Sequence, residues 1–301
     1  MKRMVNKFAR FNPFSRTIIK KIIDESLFKE ISERKIEPAL KESMLYSVQA
    51  GGKRIRPMLV FATLQALKVN PLLGVKTATA LEMIHTYSLI HDDLPAMDND
   101  DYRRGKYTNH KVFGDATAIL AGDALLTLAF SILAEDENLS FETRIALINQ
   151  ISFSSGAEGM VGGQLADMEA ENKQVTLEEL SSIHARKTGE LLIFAVTSAA
   201  KIAEADPEQT KRLRIFAENI GIGFQISDDI LDVIGDETKM GKKTGADAFL
   251  NKSTYPGLLT LDGAKRALNE HVTIAKSALS GHDFDDEILL QLADLIALRE
   301  N

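Results

Sequence analysis

The sequence predicts an all-α protein, a single-domain bundle of about ten or more helices around a central cavity. Apolar residues recur at helical spacing through most of the 301 residues. Only 7 prolines and 19 glycines interrupt the chain, so long stretches can run as continuous helix. Alternating β-branched runs closed by Asn-Gly or Asp-Gly turns, which are typical of hairpins, are nearly absent. One helical core is therefore expected.

The periodic pattern divides the chain into ten predicted helices. No stretch has the composition of a linker, so residues 1–15 are interpreted as a basic N-terminal tail and 16–301 as one domain. The predicted helices are 16–34, 38–50, 57–68, 75–93, 115–135, 141–158, 176–203, 208–235, 256–280 and 285–299.

Composition and charge exclude several classes of function. The net charge of -7 argues against a nucleic-acid partner, because such binding depends on a basic field. The absence of cysteine excludes disulfides, thiolate nucleophiles and cysteine-based metal sites. A cytoplasmic location is expected, and any anionic ligand must meet locally concentrated cations.

Two segments raise the question of a membrane. The apolar run from Ala118 to Ala134 contains Asp123 at its centre and is followed by two acids, so a buried core helix is predicted and no integral membrane span. The first 23 residues hold seven lysines or arginines, no acid, and phenylalanines at 8, 11 and 14. A solvated basic tail is favoured there over a membrane-contacting or targeting segment.

The first candidate metal site lies near residue 230. Asp228 and Asp232 are four residues apart on a predicted helix, so their carboxylates share one face, with Asp229 beside them. The preceding residues are mostly apolar, and unpaired buried carboxylates are costly. A hard cation such as Mg²⁺ resolves this conflict, although a solvated acidic edge would explain one such cluster equally well.

A second aspartate cluster closes another apolar helix. Asp92, Asp93 and Asp98 lie in the sequence HDDLPAMD, where Pro95 should end the helix and let Asp98 turn back beside Asp92. Two buried helices that end in carboxylates can face each other across one cavity. The pair of clusters therefore favours a Mg²⁺ site.

Cations follow both clusters, as a diphosphate ligand would require. Arginine forks match phosphate oxygens in a bidentate way, and backbone amides before a helix add to an anion site. His85 shares a helix face with Asp92 and could reach a phosphate. Taken singly, each basic group is more often a solvated turn. The other candidates are Gly52, Lys53, Arg54, Arg56, Arg103, Arg104, Lys239, Lys242 and Lys243.

These motifs closely resemble those of the trans-isoprenyl diphosphate synthases, and among them the bacterial farnesyl diphosphate synthases. The resemblance covers about residues 38–300. It is carried by GGKRIRP at 51–57, LIHDDLPAMDNDDYRRG at 89–105, GGQLADM at 162–168, KTGELL at 187–192 and GFQISDDILDVIGD at 223–236.

The resemblance implies a reaction and a set of roles. Several Mg²⁺ ions per site, with Mn²⁺ as an acceptable substitute, would hold the allylic diphosphate through Asp92, Asp98 and Asp228, with Asp93, Asp229 and Asp232 as indirect ligands. The allylic cation would then be attacked by isopentenyl diphosphate. Lys53, Arg56, His85 and Arg104, with Gly52 in the same motif, would bind isopentenyl diphosphate, whereas the allylic side would use Arg103, Lys187, Thr188, Gln225 and Lys242, the two lysines being counted as catalytic.

The resemblance also bears on product length and assembly. In this family, bulk at the two positions held here by Tyr87 and Ser88 limits the growing tail, so a fifteen-carbon product is expected unless Tyr87 only packs in the core. The segment 236–256 is interpreted as a lid, and a homodimer is implied. Alternatives left open are a geranylgeranyl diphosphate synthase and, less favoured, a non-catalytic partner subunit.

Overall fold

The computed structural model describes residues 16–171, 173–234 and 253–297. These residues form an all-α bundle, as predicted. Its helices are α1 (Arg16–Ser32), α2 (Pro38–Val48), α3 (Ile55–Ala66), α4 (Val75–Asp92), α5 (Asn109–Phe113), α6 (Asp115–Ala134), α7 (Phe141–Ser155), α8 (Met160–Ala170), α9 (Leu177–His184), α10 (Glu190–Ile202), α11 (Pro207–Ile234), α12 (Tyr255–Leu279) and α13 (Glu287–Ala297).

Helix pairing places the core between the long helices. The most extensive packing joins α11 to α12 and α4 to α6, while α10 lies against α3, α7 and α11. Almost every residue of α10 is buried, and Phe194 and Phe216 are among the largest fully buried side chains. The helices that end in aspartates, α4 and α11, are therefore anchored by their buried faces.

Several features differ from the predicted pattern. A two-stranded hairpin joins β1 (Tyr102–Arg103) to β2 (Lys106–Tyr107), within a stretch predicted as loop. Helix α8 was also missed, because its two adjacent glycines at 162 and 163 weaken the helical pattern. The predicted helix 176–203 corresponds to α9 and α10, which a π-helical segment, Ala185–Gly189, joins.

Helix α6 is the one helix among the described residues that is long and apolar enough to cross a membrane, judged by length and composition. Only 39% of its apolar window is buried inside the molecule. The buried face, which includes Ala121 and Leu125, packs against α4. Helix α6 therefore packs into the core through one face, while Ile119 and Leu120 on it remain exposed.

Candidate active site

A cavity of about 670 Å³ lies between α4, α8, the π-helical segment and α11. Its walls combine charged groups with apolar side chains, as a ligand with an anionic head and a hydrocarbon tail would require. The polar lining comprises Arg56, His85, Ser88, His91, Asp92, Arg103, Arg104, Gln164, Lys187, Thr188, Gln225 and Asp228, and the other lining residues are Tyr87, Leu89, Met97, Met160, Val161, Leu165, Met168 and Phe224.

The first aspartate cluster has the predicted turn. Helix α4 ends at Asp92, before Pro95, and the backbone N–H of Asp98 donates to the carbonyl of Asp92 at 2.8 Å. Asp98 is exposed, whereas Asp92 lines the cavity. Burial raises the pKa of Asp92 to about 6, a shift that Lys187 opposes and Asp98 reinforces. The Asp92 carboxylate therefore lacks sufficient compensating positive charge.

Asp93 has a different environment from Asp92. The Arg103 Nε donates to both carboxylate oxygens of Asp93, at 2.7 and 3.0 Å, and the Arg103 Nη2 lies 2.6 Å from Oδ1. Burial raises the pKa of Asp93 and the Arg103 hydrogen bond opposes the shift. In this arrangement Asp93 orients Arg103, whose side chain lines the cavity, rather than presenting its own oxygens to a ligand.

The second aspartate cluster divides in the same way. Asp228 lines the cavity, as Asp92 does, while Asp229 and Asp232 are buried. The Asp229 carboxylate accepts a hydrogen bond of 2.9 Å from the backbone N–H of Tyr255, at the start of α12. The Nε2 of buried His184 lies 3.6 Å from the same carboxylate. Asp229 thus joins α9, α11 and α12 beside the cavity.

No group of three or more His, Asp or Glu side chains among residues 16–171, 173–234 and 253–297 converges closely enough to hold a metal alone. The donor set nevertheless suits Mg²⁺, which commonly uses one or two carboxylates and completes its shell with water and substrate phosphates. Helices α4 and α11 each place a residue with a carboxylate in the cavity lining, Asp92 and Asp228. The raised pKa of Asp92 is what a nearby cation would correct.

Three arginines and a histidine form a second polar group in the cavity lining. Arg56, Arg103, Arg104 and His85 line the cavity together. Burial and the neighbouring guanidinium groups of Arg56 and Arg104 lower the pKa of His85 well below its usual range. His85 is therefore a neutral hydrogen-bonding group at pH 7 beside three fixed positive charges, and the group is arranged to receive an anion.

The hairpin missed in the sequence places Arg104. Arg104 and Gly105 form its two-residue loop, and both have positive φ, as the favoured hairpin turns require. The Arg104 Nη1 donates to the carbonyl of Gly51. A Cβ on Gly52 would lie 2.8 Å from the Arg104 guanidinium carbon, and Gly52 also has a φ of 133°. Gly52 thus makes room for Arg104, while Lys53 beside it is exposed.

The π-helical segment presents Lys187 and Thr188 to the cavity. Such π turns often occur at functional sites. The Lys187 Nζ lies 2.6 Å from the Asp167 carboxylate, and the Thr188 hydroxyl donates to the Gln225 side-chain oxygen at 2.8 Å. Asp167 was not among the predicted site residues, although it belongs to the motif GGQLADM at 162–168.

Gly163 explains how α8 reaches this segment. A Cβ at Gly163 would collide with the backbone of Lys187, so α8 and the π-helical segment can pack this closely only at a glycine. The apolar side chains of α8, Val161, Leu165 and Met168, then line the cavity.

The predicted chain-length positions also line the cavity. Tyr87 is 5% exposed, and its ring meets the ring of His91 edge to face, with centroids 5.6 Å apart. Ser88 is small, and its hydroxyl donates to the carbonyl of His85 at 3.0 Å. The predicted ligand Lys242, with Lys239, Lys243 and most of the segment 236–256, lies outside the described residues, as does the tail 1–15.

Comparison with known proteins agrees with this geometry. Residues 37–287 match the family model for polyprenyl synthetase, and the chain belongs to that family. It is 53% identical to a farnesyl diphosphate synthase of Bacillus subtilis (strain 168), over 94% of this chain and 96% of the relative. It is 50% identical to the farnesyl diphosphate synthase of Geobacillus stearothermophilus, with the same coverage.

A solved structure gives the same result at the level of the fold. The chain superimposes on geranylgeranyl pyrophosphate synthetase from Pyrococcus horikoshii Ot3 with a TM-score of 0.86 and 32% identity, over 95% of this chain and 98% of that one. The family defines a prenyltransferase, so the chain is a transferase of the isoprenyl synthase fold, as the sequence motifs indicated.

Proposed function

We propose that this chain is a farnesyl diphosphate synthase that condenses isopentenyl diphosphate with dimethylallyl and geranyl diphosphate. The observation that carries the proposal is one cavity with carboxylates from two helices, a group of arginines and a wall of apolar side chains. The identity of 50% and 53% to two farnesyl diphosphate synthases supports the product length. A product analysis by mass spectrometry, with isopentenyl and geranyl diphosphates as substrates, tests the proposal.

The site would act through charge and position. Bound Mg²⁺, held by Asp92 and Asp228 and approached by Asp98, would supply Lewis-acid stabilisation of the departing diphosphate. The allylic carbon–oxygen bond breaks with its electron pair leaving on the diphosphate. The double bond of isopentenyl diphosphate attacks the resulting cation, and a proton passes from the new unit to the released diphosphate. No protein nucleophile is needed.

The chain's own residues divide the two diphosphates between them. Arg56, Arg104 and neutral His85 face the isopentenyl diphosphate. Lys53, in the turn before α3, joins them. Lys187, Thr188 and Gln225 face the allylic substrate, and Arg103 is oriented toward it by Asp93. Lys242 completes the allylic set in this proposal. Apolar walls from α8 surround the tail and keep water from the cation.

Tyr87 would set the product at fifteen carbons, because its buried ring occupies the cavity wall next to His91. The alternative product is geranylgeranyl diphosphate, which would require the tail to pass this ring. The chain has the same fold as the geranylgeranyl pyrophosphate synthetase from Pyrococcus horikoshii Ot3, so the fold is compatible with either product. The same product analysis separates the two, since the products differ by one five-carbon unit.

A homodimer is part of the proposal. The incompletely buried α6 and its neighbour α7 expose Ile119, Leu120, Phe141, Ile145 and Phe153. Exposed apolar side chains in this number are typical of a surface that a partner covers. Light scattering should give twice the 33.2 kDa mass of the chain, and Leu120→Glu should halve it. We also propose that the protein is cytoplasmic and, given its net charge of -7, that it has no nucleic-acid partner.

A further inference from the structure

Arg54 is a buried arginine beside the site that does not line the cavity. Its side chain is 1% exposed, and each of three nitrogens has an acceptor on a different part of the fold. The Nε donates to Asp24 in α1 at 2.9 Å, the Nη1 to Glu82 in α4 at 2.7 Å, and the Nη2 to the carbonyl of Val48 at 2.7 Å. Arg54 therefore connects α1, α2 and α4.

The backbone of Arg54 is as unusual as its side chain. Arg54 precedes α3 and has φ 51° and ψ 37°, in the left-handed region that residues with a Cβ rarely adopt. Gly51 and Gly52 before it also have positive φ. A non-glycine residue persists in this conformation when its surroundings hold it there. The three hydrogen bonds of the Arg54 side chain provide that restraint.

The Arg54–Glu82 ion pair links two groups of cavity residues. Arg54 lies between Lys53 and Arg56 in sequence, and Glu82 lies one turn before His85 on α4. Neither Arg54 nor Glu82 lines the cavity, whereas Arg56 and His85 do. The ion pair is only 1% and 2% exposed, so water cannot replace it. It fixes the distance between the segment 51–56, which is the turn before α3 and the first residues of α3, and the middle of α4.

We infer that Arg54 and Glu82 are positioning residues for the isopentenyl diphosphate half of the site, holding Lys53 and Arg56 in register with His85. This inference rests on the proposed function. Asp24 and Glu82 offset the charge of Arg54, so Arg54 acts through geometry rather than by adding a cation to the ligand. Asp92 and Arg103 apart, the allylic half is built from α8, the π-helical segment and α11, whereas the hydrogen bonds of the Arg54 side chain go to α1, α2 and α4.

The first test compares Michaelis constants for the two substrates. Arg54→Lys keeps the charge but cannot reach three acceptors in a fork. We expect the KM for isopentenyl diphosphate to rise about tenfold, because small misplacements of binding groups are costly, while the KM for geranyl diphosphate stays within about twofold. Arg34→Lys is the matched control, since Arg34 also pairs across the fold, with Glu135 at 2.6 Å, but does not line or flank the cavity.

A second variant separates position from folding. Removing one partner leaves a lone buried charge, so Arg54→Met/Glu82→Met removes both charges together. The same selective rise in the KM for isopentenyl diphosphate, at a temperature where the variant is fully folded, supports the inference. Equal rises for both substrates, or a lowered Tm with both KM values unchanged, overturn it and leave Arg54 a role in stability alone.

Direct binding keeps the inference separate from the proposed function. If the wild-type protein shows no prenyl transfer, the proposed function fails, and calorimetric titration with isopentenyl diphosphate still tests the positioning role. Binding that is about tenfold weaker in Arg54→Lys than in Arg34→Lys supports it. Equal affinities in these two variants contradict it.

Discussion

Asp98 returns to Asp92 through a backbone hydrogen bond of 2.8 Å, although five residues separate them in the chain. The turn places an exposed carboxylate next to a half-buried one at the end of α4. Asp228, in the last two turns of α11, lines the same cavity as Asp92. Asp92 and Asp228 therefore lie in the wall of the cavity proposed to bind a diphosphate, with Asp98 next to Asp92.

Asp92→Asn should abolish most of the turnover. Losing one metal ligand removes Lewis-acid stabilisation worth several kcal/mol, so we expect kcat to fall at least about 100-fold. The control is Asp262→Asn, because Asp262 is exposed on α12 and outside the cavity. Steady-state kinetics at saturating Mg²⁺ provide the measurement. Equal activities in the two variants would remove Asp92 from the metal site.

The same variant should stabilise the metal-free protein. The pKa of Asp92 is raised to about 6 in the folded state from 3.8, chiefly by burial. Its ionisation therefore opposes folding, and the stability of the protonated form is lost as pH rises through about 6. At pH 7.5 the neutral Asn should add about 1–2 kcal/mol, after allowance for partial exposure. Thermal unfolding in a chelator would show it as a raised Tm, and a lowered Tm would contradict it.

Metal affinity should rise with pH, whereas the stability of the metal-free protein should fall. The proton on Asp92 competes with Mg²⁺, so the increase in Tm caused by Mg²⁺ and inorganic diphosphate should grow from about pH 5 to about pH 7. Diphosphate itself titrates in this range, and Asp92→Asn isolates the contribution of the side chain. The variant should show a smaller pH dependence than the wild type, the difference being the contribution of Asp92. A pH dependence of the same size in both proteins would assign it to the ligand.

Tyr87 and Ser88 should control product length with opposite signs. Tyr87→Ala opens the cavity wall beside His91, so we expect products longer than fifteen carbons, whereas Ser88→Phe adds bulk and should favour the ten-carbon product. Mass spectrometry of the products from each variant gives the chain lengths. An unchanged product from Tyr87→Ala would limit Tyr87 to a packing role.

Gly163→Ala should damage the allylic half of the site. Its Cβ would collide with the backbone of Lys187, so the π-helical segment must shift, at a cost of about 1–3 kcal/mol in stability. We expect a raised KM for geranyl diphosphate and a lower Tm. Gly223→Ala is the control. A Cβ at Gly223 would lie 3.4 Å from its nearest neighbour, the Leu268 side chain, which is an ordinary contact. Full activity in Gly163→Ala would refute the prediction.

Much of this arrangement was predictable from local sequence. Pro95 correctly placed the end of α4 and the return of Asp98, because proline excludes helical geometry in its predecessor. The glycines and cations of 51–57 correctly indicated a turn before a helix. Paired aspartates at the ends of two apolar helices indicated a shared cavity, and Asp92 and Asp228 both line it.

Other features depend on contacts that sequence spacing does not contain. The hairpin loop at Arg104 and Gly105 lacks the usual Asn-Gly signal, and Arg104 is held there by Gly51. The Asp229 carboxylate, predicted as an indirect metal ligand, also accepts the N–H of Tyr255, 26 residues away, a contact that spacing does not indicate. Asp167 and Lys187 meet only because α8 packs on the π-helical segment. Such pairings require the tertiary structure.

The most direct test of the account is Mg²⁺-dependent condensation by the wild-type protein compared with Asp92→Asn and Asp228→Asn. Each protein is incubated with isopentenyl and geranyl diphosphates, with Mg²⁺ or with a chelator, and the products are identified by mass. We predict farnesyl diphosphate from the wild type with Mg²⁺ only, and little from either variant. Condensation that persists in the chelator, or in both variants, would contradict a mechanism in which these two carboxylates hold the metal.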